Sequence, residues 1–329
     1  MLFSYAALLG GLALLIFAGD LLVRGAVSIA KALGIPTLII GLTIVAFGTS
    51  APELFISLSA AFDGVSGVAI GNVVGSNIAN VLLVMGVPAL IAATPCDEKG
   101  AHRNALFMLV VSVIFAALCF LGTLNFYAGI GLLILLVIFL ADSVRATRKH
   151  KKENGVSTTA EADDDDDEDE LDVESVPENK LVATAYILFG LVGLPLGAQL
   201  TINGATELAS SWGVSDAVIG LTVVALGTSL PELATTVMAA IRQHSAVAIG
   251  NVIGSNVFNL LAIMGITVTV IPIPVPEQIL VYDIWVMLAC AVLLYIFAAK
   301  RLCLGKVWGI FLSVAYIAYI YGVFALDFI

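Results

Sequence analysis

The chain has 329 residues, of which 60% are hydrophobic and only 12% are charged. This composition excludes a soluble protein and predicts an integral membrane protein, because too few polar residues are present to cover a surface in water. The net charge of −11 arises in one segment, since 13 of the 25 acidic residues lie between Glu153 and Glu178 and 14 basic residues balance the other 12. We therefore expect the lipid bilayer as the surroundings, no nucleic-acid partner and no obligatory protein partner.

Ten stretches are apolar over the roughly 20 residues that a membrane-spanning helix needs. The predicted spans cover residues 5–33, 36–62, 66–93, 104–121, 124–144, 181–211, 216–241, 245–271, 279–299 and 306–326. The sequence therefore predicts an all-α integral membrane protein with ten transmembrane helices.

The basic residues predict the orientation of these spans. If the spans alternate in direction, all 14 Lys and Arg residues fall on one side of the membrane. Loops rich in Lys and Arg stay in the cytoplasm, so we expect a protein of the cell membrane with both termini outside and residues 145–180 inside. This linker holds the acidic run 163–170 and too few apolar residues to fold alone, which favours a solvated tether. Weak calcium sensing by the acidic run is the alternative, although no EF-hand pattern is present.

Two blocks of sequence occur twice at a constant offset of 179 residues. Residues 41–54 and 220–233 are identical at 11 of 14 positions, and residues 69–86 and 248–265 at 12 of 18. Five spans separate the copies, and an odd number reverses the direction of the second copy. The sequence thus predicts two inverted five-helix repeats, residues 1–144 and 181–329, joined by the linker 145–180. Inverted repeats favour a binding site near the middle of the membrane and alternating access.

The first block, Gly-Leu-Thr-Ile-Val-Ala-Phe-Gly-Thr-Ser-Ala-Pro-Glu-Leu in its first copy, places Glu53 and Glu232 inside apolar spans. A carboxylate at this depth costs roughly a few kcal/mol unless a cation accompanies it. A proline removes a helical hydrogen bond and a nearby glycine loosens the backbone, which predicts a break in each helix. The residues at the two breaks are Gly48, Pro52, Gly227 and Pro231. Carbonyl groups freed at a break need a partner within the protein, and a bound cation would supply one.

The second block, Gly-Asn-Val-Val-Gly-Ser-Asn-Ile-Ala-Asn in its first copy, puts Asn72, Ser76 and Asn80 on one helical face. Packing between helices is the alternative role of this polar stripe. Glycine pairs at four-residue spacing predict that another helix approaches closely. The pairs are Gly71 with Gly75 and Gly250 with Gly254.

The residue types predict the kind of cation. Two carboxylates with no basic residue near them in sequence must bind cations or be protonated. Carboxylate, hydroxyl, amide and carbonyl oxygens, without His, Cys or Met, favour hard ions such as Ca²⁺ or Na⁺ over Zn²⁺ or Cu⁺.

The paired Gly-Thr-Ser-x-Pro-Glu-Leu and Gly-Asn-x-x-Gly-Ser-Asn motifs resemble the sodium/calcium exchanger family of the cation/calcium antiporters, in its prokaryotic form. The resemblance implies that spans 2, 3, 7 and 8 surround the ions and that spans 1 and 6 slide across them as a gate. It implies that Glu53 and Glu232 bind both calcium and sodium. The further metal positions that it implies are Thr49, Thr228, Ser50, Ser229, Ser76, Ser255, Asn80, Asn259 and the carbonyls of Ala46 and Ala225. Family members often carry Asp where this chain has Asn80 or Asn259, which leaves the ion stoichiometry open.

The predicted function is a secondary antiporter that exchanges Na⁺ for Ca²⁺ and normally exports Ca²⁺, with no cofactor besides the transported ions. A Ca²⁺/H⁺ exchanger or a potassium-dependent exchanger is the nearest alternative, because protons could also neutralise the glutamates. A cation channel is favoured less, since inverted repeats with broken helices fit alternating access. An enzyme is not expected, because no span carries a nucleophile with its base or a metal-binding histidine motif.

Overall fold

A computed structural model describes residues 2–155, 176–213 and 225–327, and the chain is almost entirely helical there. The first half contains α1 (Leu2–Leu33), α2 (Thr37–Thr49), α3 (Ala51–Phe62), α4 (Ser66–Ile91), α5 (Ala101–Cys119) and α6 (Phe126–Gly155). The second half contains α7 (Lys180–Ser211), α8 (Ala225–Thr228), α9 (Leu230–Ile241), α10 (Ser245–Val270), α11 (Ile279–Ala299) and α12 (Lys306–Asp327). Four short strands connect helices: β1 (Thr94–Pro95), β2 (Thr123–Leu124), β3 (Ile273–Pro274) and β4 (Cys303–Leu304).

The helices are those of a membrane protein. Eight of the described helices are long and apolar enough to cross a bilayer, and α2 with α3, bent by 44°, makes a ninth span. Large apolar side chains such as Phe3, Phe17 and Phe126 are more than half exposed, as lipid-facing residues are. The predicted all-α membrane fold is therefore confirmed.

The count of ten spans stays a prediction, because the seventh, 216–241, lies partly outside the described residues. Helices α8 and α9 form its later part. Helix α6 continues to Gly155, past the boundary predicted at residue 144. The acidic run 163–170 lies outside the described residues.

Helices α1 and α7 run antiparallel and pack closely along their length. A Cβ atom built on Gly204 would lie 2.6 Å from the carbonyl oxygen of Ser4, and one built on Gly25 would lie 2.7 Å from that of Ala183. At these points the two backbones touch, as small residues permit inside membranes. The glycines therefore make α1 and α7 a close helix pair.

Helices α4 and α10 lie at the centre of the molecule. In an apolar 18-residue window of each helix, 72% of the window is buried in α4 and 89% in α10. The buried share is 44% in α1 and 39% in α7. Protein rather than lipid therefore surrounds α4 and α10, and this is where polar side chains can find partners.

The short strands join the two halves at both ends of the helices. Strand β1 pairs antiparallel with β4, and β2 pairs antiparallel with β3. Each pair takes one strand from residues 1–144 and one from residues 181–329. Strands β1 and β4 adjoin the loops that carry Lys99 and Arg301, so these two basic loops lie on the same side of the molecule.

Candidate cation site

Each copy of the first motif interrupts its helix at a serine. Ser50, between α2 and α3, has φ −86° and ψ 7°, and Ser229, between α8 and α9, has φ −85° and ψ 3°. Pro52 and Pro231 lie in the first turn of the helix that follows, where a missing N–H breaks no helical hydrogen bond. The chain thus turns at each motif and starts a new helix immediately before the glutamate.

The glycines that precede the breaks are also points of close contact. A Cβ atom on Gly48 would overlap the side chain of Leu191, and one on Gly227 would overlap that of Ile202. Leu191 and Ile202 both belong to α7 and are 202 − 191 = 11 residues apart, about three helical turns, so they share a face. Helix α7 therefore lies across both helix breaks.

Glu53 and Glu232 lie in the first turns of α3 and α9, and each is only 1% exposed. The N-terminus of a helix carries a partial positive charge that favours a carboxylate. Ser50 Oγ donates to Glu232 Oε1 over 3.0 Å and so links the two motifs. One oxygen of each carboxylate, Glu53 Oε2 and Glu232 Oε2, is buried without a hydrogen-bond partner. Within the described residues no Lys, Arg or His pairs with either glutamate.

Four asparagines of α4 and α10 form the asparagine cluster: Asn77, Asn80, Asn256 and Asn259. Asn80 Nδ2 donates to Asn256 Oδ1 over 3.2 Å, and Asn259 Nδ2 donates to Asn77 Oδ1 over 3.2 Å. Because equivalent residues are 179 apart, exchanging the two halves turns one bond into the other. Asn80 Oδ1 and Asn259 Oδ1 are buried and have no hydrogen-bond partner. The cluster thus contributes two neutral oxygens that remain available.

Thr49 connects the broken helix of the first half to α10. Its Oγ1 lies 3.3 Å from Asn251 Oδ1 and 3.5 Å from Ser255 Oγ. The same hydroxyl lies 3.3 Å from the carbonyl oxygen of Ala46, which also accepts the backbone N–H of Ser50 over 3.1 Å. The first motif and the second copy of the other motif therefore meet at Thr49.

Two asparagines of the polar stripe hold the backbone of the glutamates. Asn72 Nδ2 donates to the carbonyl oxygen of Glu53 over 3.1 Å, and Asn251 Nδ2 donates to that of Glu232 over 3.4 Å. At Asn72, and at its equivalent Asn251 in the second half, the stripe therefore packs helices together.

The other predicted site residues are buried on the same helices. Ser76, Ser255, Thr228 and Ser229 are at most 5% exposed, and Ser229 Oγ has no hydrogen-bond partner. The backbone of Ala225 begins α8. The four hydroxyl side chains are therefore buried in the protein interior, and the role of the predicted residues as ion ligands stays a prediction.

Close approach of helices at Gly250 and Gly254 is confirmed. A Cβ atom on either glycine would lie 2.6 Å from a carbonyl oxygen of α2, that of Leu38 or Leu42 respectively. At Gly71 and Gly75 no described atom of another helix lies within 4 Å of such a Cβ. The equivalent partner segment of the second half falls in residues 214–224, outside the described part of the chain.

Some features of the site leave no signal in the residue spacing. Helices α2, α4 and α10 each contain a π-helical turn, at Gly41–Val45, Asn80–Val84 and Asn259–Ile263. Such turns are often found at functional positions, and here two of them begin at cluster asparagines. Asn77 lies in the predicted polar stripe, three residues before Asn80, and Asn256 is its equivalent at an offset of 179, but neither is predicted as a site residue.

The available oxygens define what the site can bind. The described residues contain no group of three or more His, Cys, Asp and Glu side chains that could hold a metal. The site instead combines two carboxylates with neutral hydroxyl and amide oxygens, a set suited to hard cations. Buried carboxylates and broken helices deep inside a membrane protein are typical of ion transporters.

The chain belongs to the sodium/calcium exchanger family. The family profile described as "Sodium/calcium exchanger protein" matches residues 3–144 and 182–325. The chain is 36% identical over 331 residues to the putative antiporter CaxA of Alkalimonas amylolytica, covering 99% of this chain and 100% of that protein. It is 34% identical over 351 residues to the sodium/calcium exchanger MaX1 of Methanosarcina acetivorans, covering 98% of each.

Comparison with solved structures finds the same family. The sodium-calcium exchanger NCX_Mj, soaked with Na⁺ and Sr²⁺, matches with a TM-score of 0.81 at 31% identity, covering 97% of this chain and 98% of that one. This protein is therefore a membrane antiporter of calcium and another cation, and its relatives are exchangers rather than enzymes.

Proposed function

We propose that this protein exchanges Na⁺ for Ca²⁺ across the cell membrane and normally carries Ca²⁺ out of the cell. The observation that carries the proposal is the pair of buried glutamates, Glu53 and Glu232, each with one unpartnered oxygen. Two negative charges balance one Ca²⁺ or two Na⁺, so the same pair can hold either ion in turn. The names of the relatives MaX1 and NCX_Mj support sodium as the coupling ion.

The proposed ligands lie around this carboxylate pair. Asn80 Oδ1 and Asn259 Oδ1 add neutral oxygens that have no other partner. Hydroxyl ligands come from Thr49, Ser50, Ser76, Thr228, Ser229 and Ser255, and carbonyl ligands from Ala46 and Ala225. For the Ala46 carbonyl to bind an ion, the Thr49 hydroxyl must turn its hydrogen to Asn251 Oδ1, which lies at the same distance of 3.3 Å.

Obligatory exchange follows from the electrostatics of the pair. Closing the empty site on both sides would bury two charges without a partner, at a cost of several kcal/mol per ion. The pair α1/α7, which lies against both helix breaks through Leu191 and Ile202, is positioned to act as the gate. The gate therefore passes across the site only when cations neutralise Glu53 and Glu232.

The proposed organisation comprises repeats 1–144 and 181–329 with the linker 145–180 in the cytoplasm and both termini outside. Pairing of β1 with β4 supports it, because this pairing places basic loops of both halves on one side. Ser28 Oγ donates to the carbonyl oxygen of Pro177 over 2.5 Å, so the end of the linker lies beside the last turns of α1, near Lys31.

The test is calcium efflux from loaded vesicles that contain the purified protein. The external medium contains Na⁺, K⁺ or a large impermeant cation, and each is assayed across a range of pH. Efflux that requires Na⁺ is expected. Efflux driven equally by a proton gradient without Na⁺ would identify a Ca²⁺/H⁺ exchanger, and equally fast efflux into the impermeant cation would identify a uniporter or a channel.

A further inference from the structure

Two asparagines of the cluster are each held by a methionine on a neighbouring helix. Asn77 Nδ2 donates to Met287 Sδ on α11 over 3.9 Å, and Asn256 Nδ2 donates to Met108 Sδ on α5 over 3.5 Å. Met108 is fully buried and Met287 is 2% exposed. The two methionines are 287 − 108 = 179 residues apart, so the arrangement occurs once in each half.

The methionine sulfurs determine which way the amides point. A thioether accepts hydrogen bonds weakly and donates none, whereas a primary amide has one end that donates and one that accepts. Asn77 therefore directs its NH₂ group to Met287, and its oxygen is left facing Asn259. Asn259 donates its NH₂ group to this oxygen over 3.2 Å. Its oxygen, the unpartnered Oδ1, then faces away from the cluster.

The same sequence of contacts runs through the other half. Met108 accepts from Asn256, and the oxygen of Asn256 accepts from Asn80. This again leaves Asn80 Oδ1 without a partner. Reversing either amide would place two acceptors, or two donors, against each other inside the protein, where unsatisfied polar groups are costly.

We propose that Asn77 and Asn256, oriented by Met287 and Met108, are positioning residues that present the oxygens of Asn259 and Asn80 to the transported cation. This inference rests on the proposed function, in which those two oxygens are ligands. It extends the site to α5 and α11, which contribute no proposed ligand. Outer-shell partners of this kind typically change metal affinity by about 10–100-fold when removed.

The test uses Asn77→Leu and Asn256→Leu, which keep the branched shape of the side chain and remove its hydrogen bonds. The apparent affinity for Ca²⁺ is expected to fall about 10-fold or more, while the maximal exchange rate at saturating Ca²⁺ changes little. Asn104→Leu is the matched control: Asn104 is buried on α5, and its amide donates to the carbonyl oxygen of Gly100, the residue immediately before the same helix, rather than to another helix. Its calcium affinity is expected to equal that of the unmodified protein.

Met108→Leu and Met287→Leu keep the apolar volume and remove only the sulfur acceptor, so they test the inference even if the asparagine variants fail to fold. A several-fold loss of calcium affinity is expected in each. Unchanged affinity in both methionine variants would overturn the inference. Glu53→Gln, measured in parallel, distinguishes failure of the proposed function from failure of the positioning role. If it abolishes calcium exchange while the methionine variants behave normally, the proposed function stands and only the positioning role fails.

Discussion

Equivalent helices of the two halves form two antiparallel pairs, α1 with α7 and α4 with α10. The two pairs are held by different kinds of contact. In the first pair, glycines let one backbone touch the other, as at Gly204 and Ser4. In the second, side chains form reciprocal hydrogen bonds across the interface, from Asn80 and from Asn259. The first pair is largely exposed to lipid and the second is largely buried.

This difference indicates which helices can move relative to the others. Hydrogen bonds are directional, so sliding α4 past α10 would leave buried amides without partners. In the middle of α1 a small residue meets α9 instead, where a Cβ on Gly19 would lie 3.2 Å from the backbone of Ala234, and one ion pair, Asp20 with Arg242, lies beside this contact. Van der Waals contacts of small residues are exchanged for similar ones when a helix shifts, and a partly exposed ion pair contributes only about 1 kcal/mol. We therefore infer that α1 and α7 move together over a fixed core.

The largest effect is expected from the core. Glu53→Gln and Glu232→Gln should each abolish calcium transport, because a neutral amide removes half of the charge that balances Ca²⁺. The measurement is calcium uptake into vesicles, with the amount of inserted protein determined in the same sample. Glu277→Gln, at an exposed position between β3 and α11, is the control and should transport normally. Robust calcium flux in either site variant would contradict the site.

Disulfide cross-links are expected to have the next largest effect on transport. They distinguish the interface of α1 with α7 from the interface of α1 with α9. A Cβ on Gly193 would lie 2.8 Å from Ala18 Cβ, so cysteines at these positions can join α1 to α7 after a small adjustment. Cysteines at Gly19 and Ala234 would join α1 to α9 instead. The first cross-link should leave transport active and the second should stop it until a reductant is added.

Both cysteine pairs are introduced with the exposed Cys303 replaced by serine. The reduced form of each variant is its own control, because it carries the same substitutions without the bond. Loss of transport on oxidation of the Ala18→Cys, Gly193→Cys variant would show that α1 and α7 must move relative to each other.

A smaller effect is expected from the ion pair between the α1/α7 pair and the core. Arg242 Nε donates to Asp20 Oδ1 over 2.8 Å, and Arg24 lies 3.6 Å from the same carboxylate. Asp20→Asn and Arg242→Gln should show a coupling of about 1 kcal/mol in a double-mutant cycle on thermal unfolding. Strictly additive effects of the two substitutions would mean that this contact does not fasten α1 to the core.

The smallest effect is expected from the linker. Deleting residues 157–176 should leave the calcium dependence of exchange nearly unchanged, because contacts between the helices, rather than the tether, assemble the two halves. The assay is exchange rate against calcium concentration for the shortened and the full-length protein. A large shift in calcium dependence would support sensing by the acidic run.

The features that a residue determines locally could be predicted from the sequence. Pro52 and Pro231 remove a helical donor, and each break is found two residues earlier, at a serine. The burial of Glu53 and Glu232 follows from the apolar spans that contain them. The π-helical turns that begin at Asn80 and Asn259 could not be predicted, because packing between distant helices determines them. The contacts of Met108 and Met287 with the asparagines could not be predicted either, because these methionines lie on spans that are remote in sequence from the asparagines.

The reciprocal contacts between the two halves are those that a symmetric dimer would make. Asn80 bonds Asn256 as Asn259 bonds Asn77, and the strand β1 meets β4 while its equivalent β3 meets β2. Each half therefore offers the surface that the other half needs. Two copies of a single half, inserted into a membrane in opposite directions, would satisfy these contacts as a homodimer. Gene fusion would then have had to add little more than a connecting segment, after which each half was free to diverge.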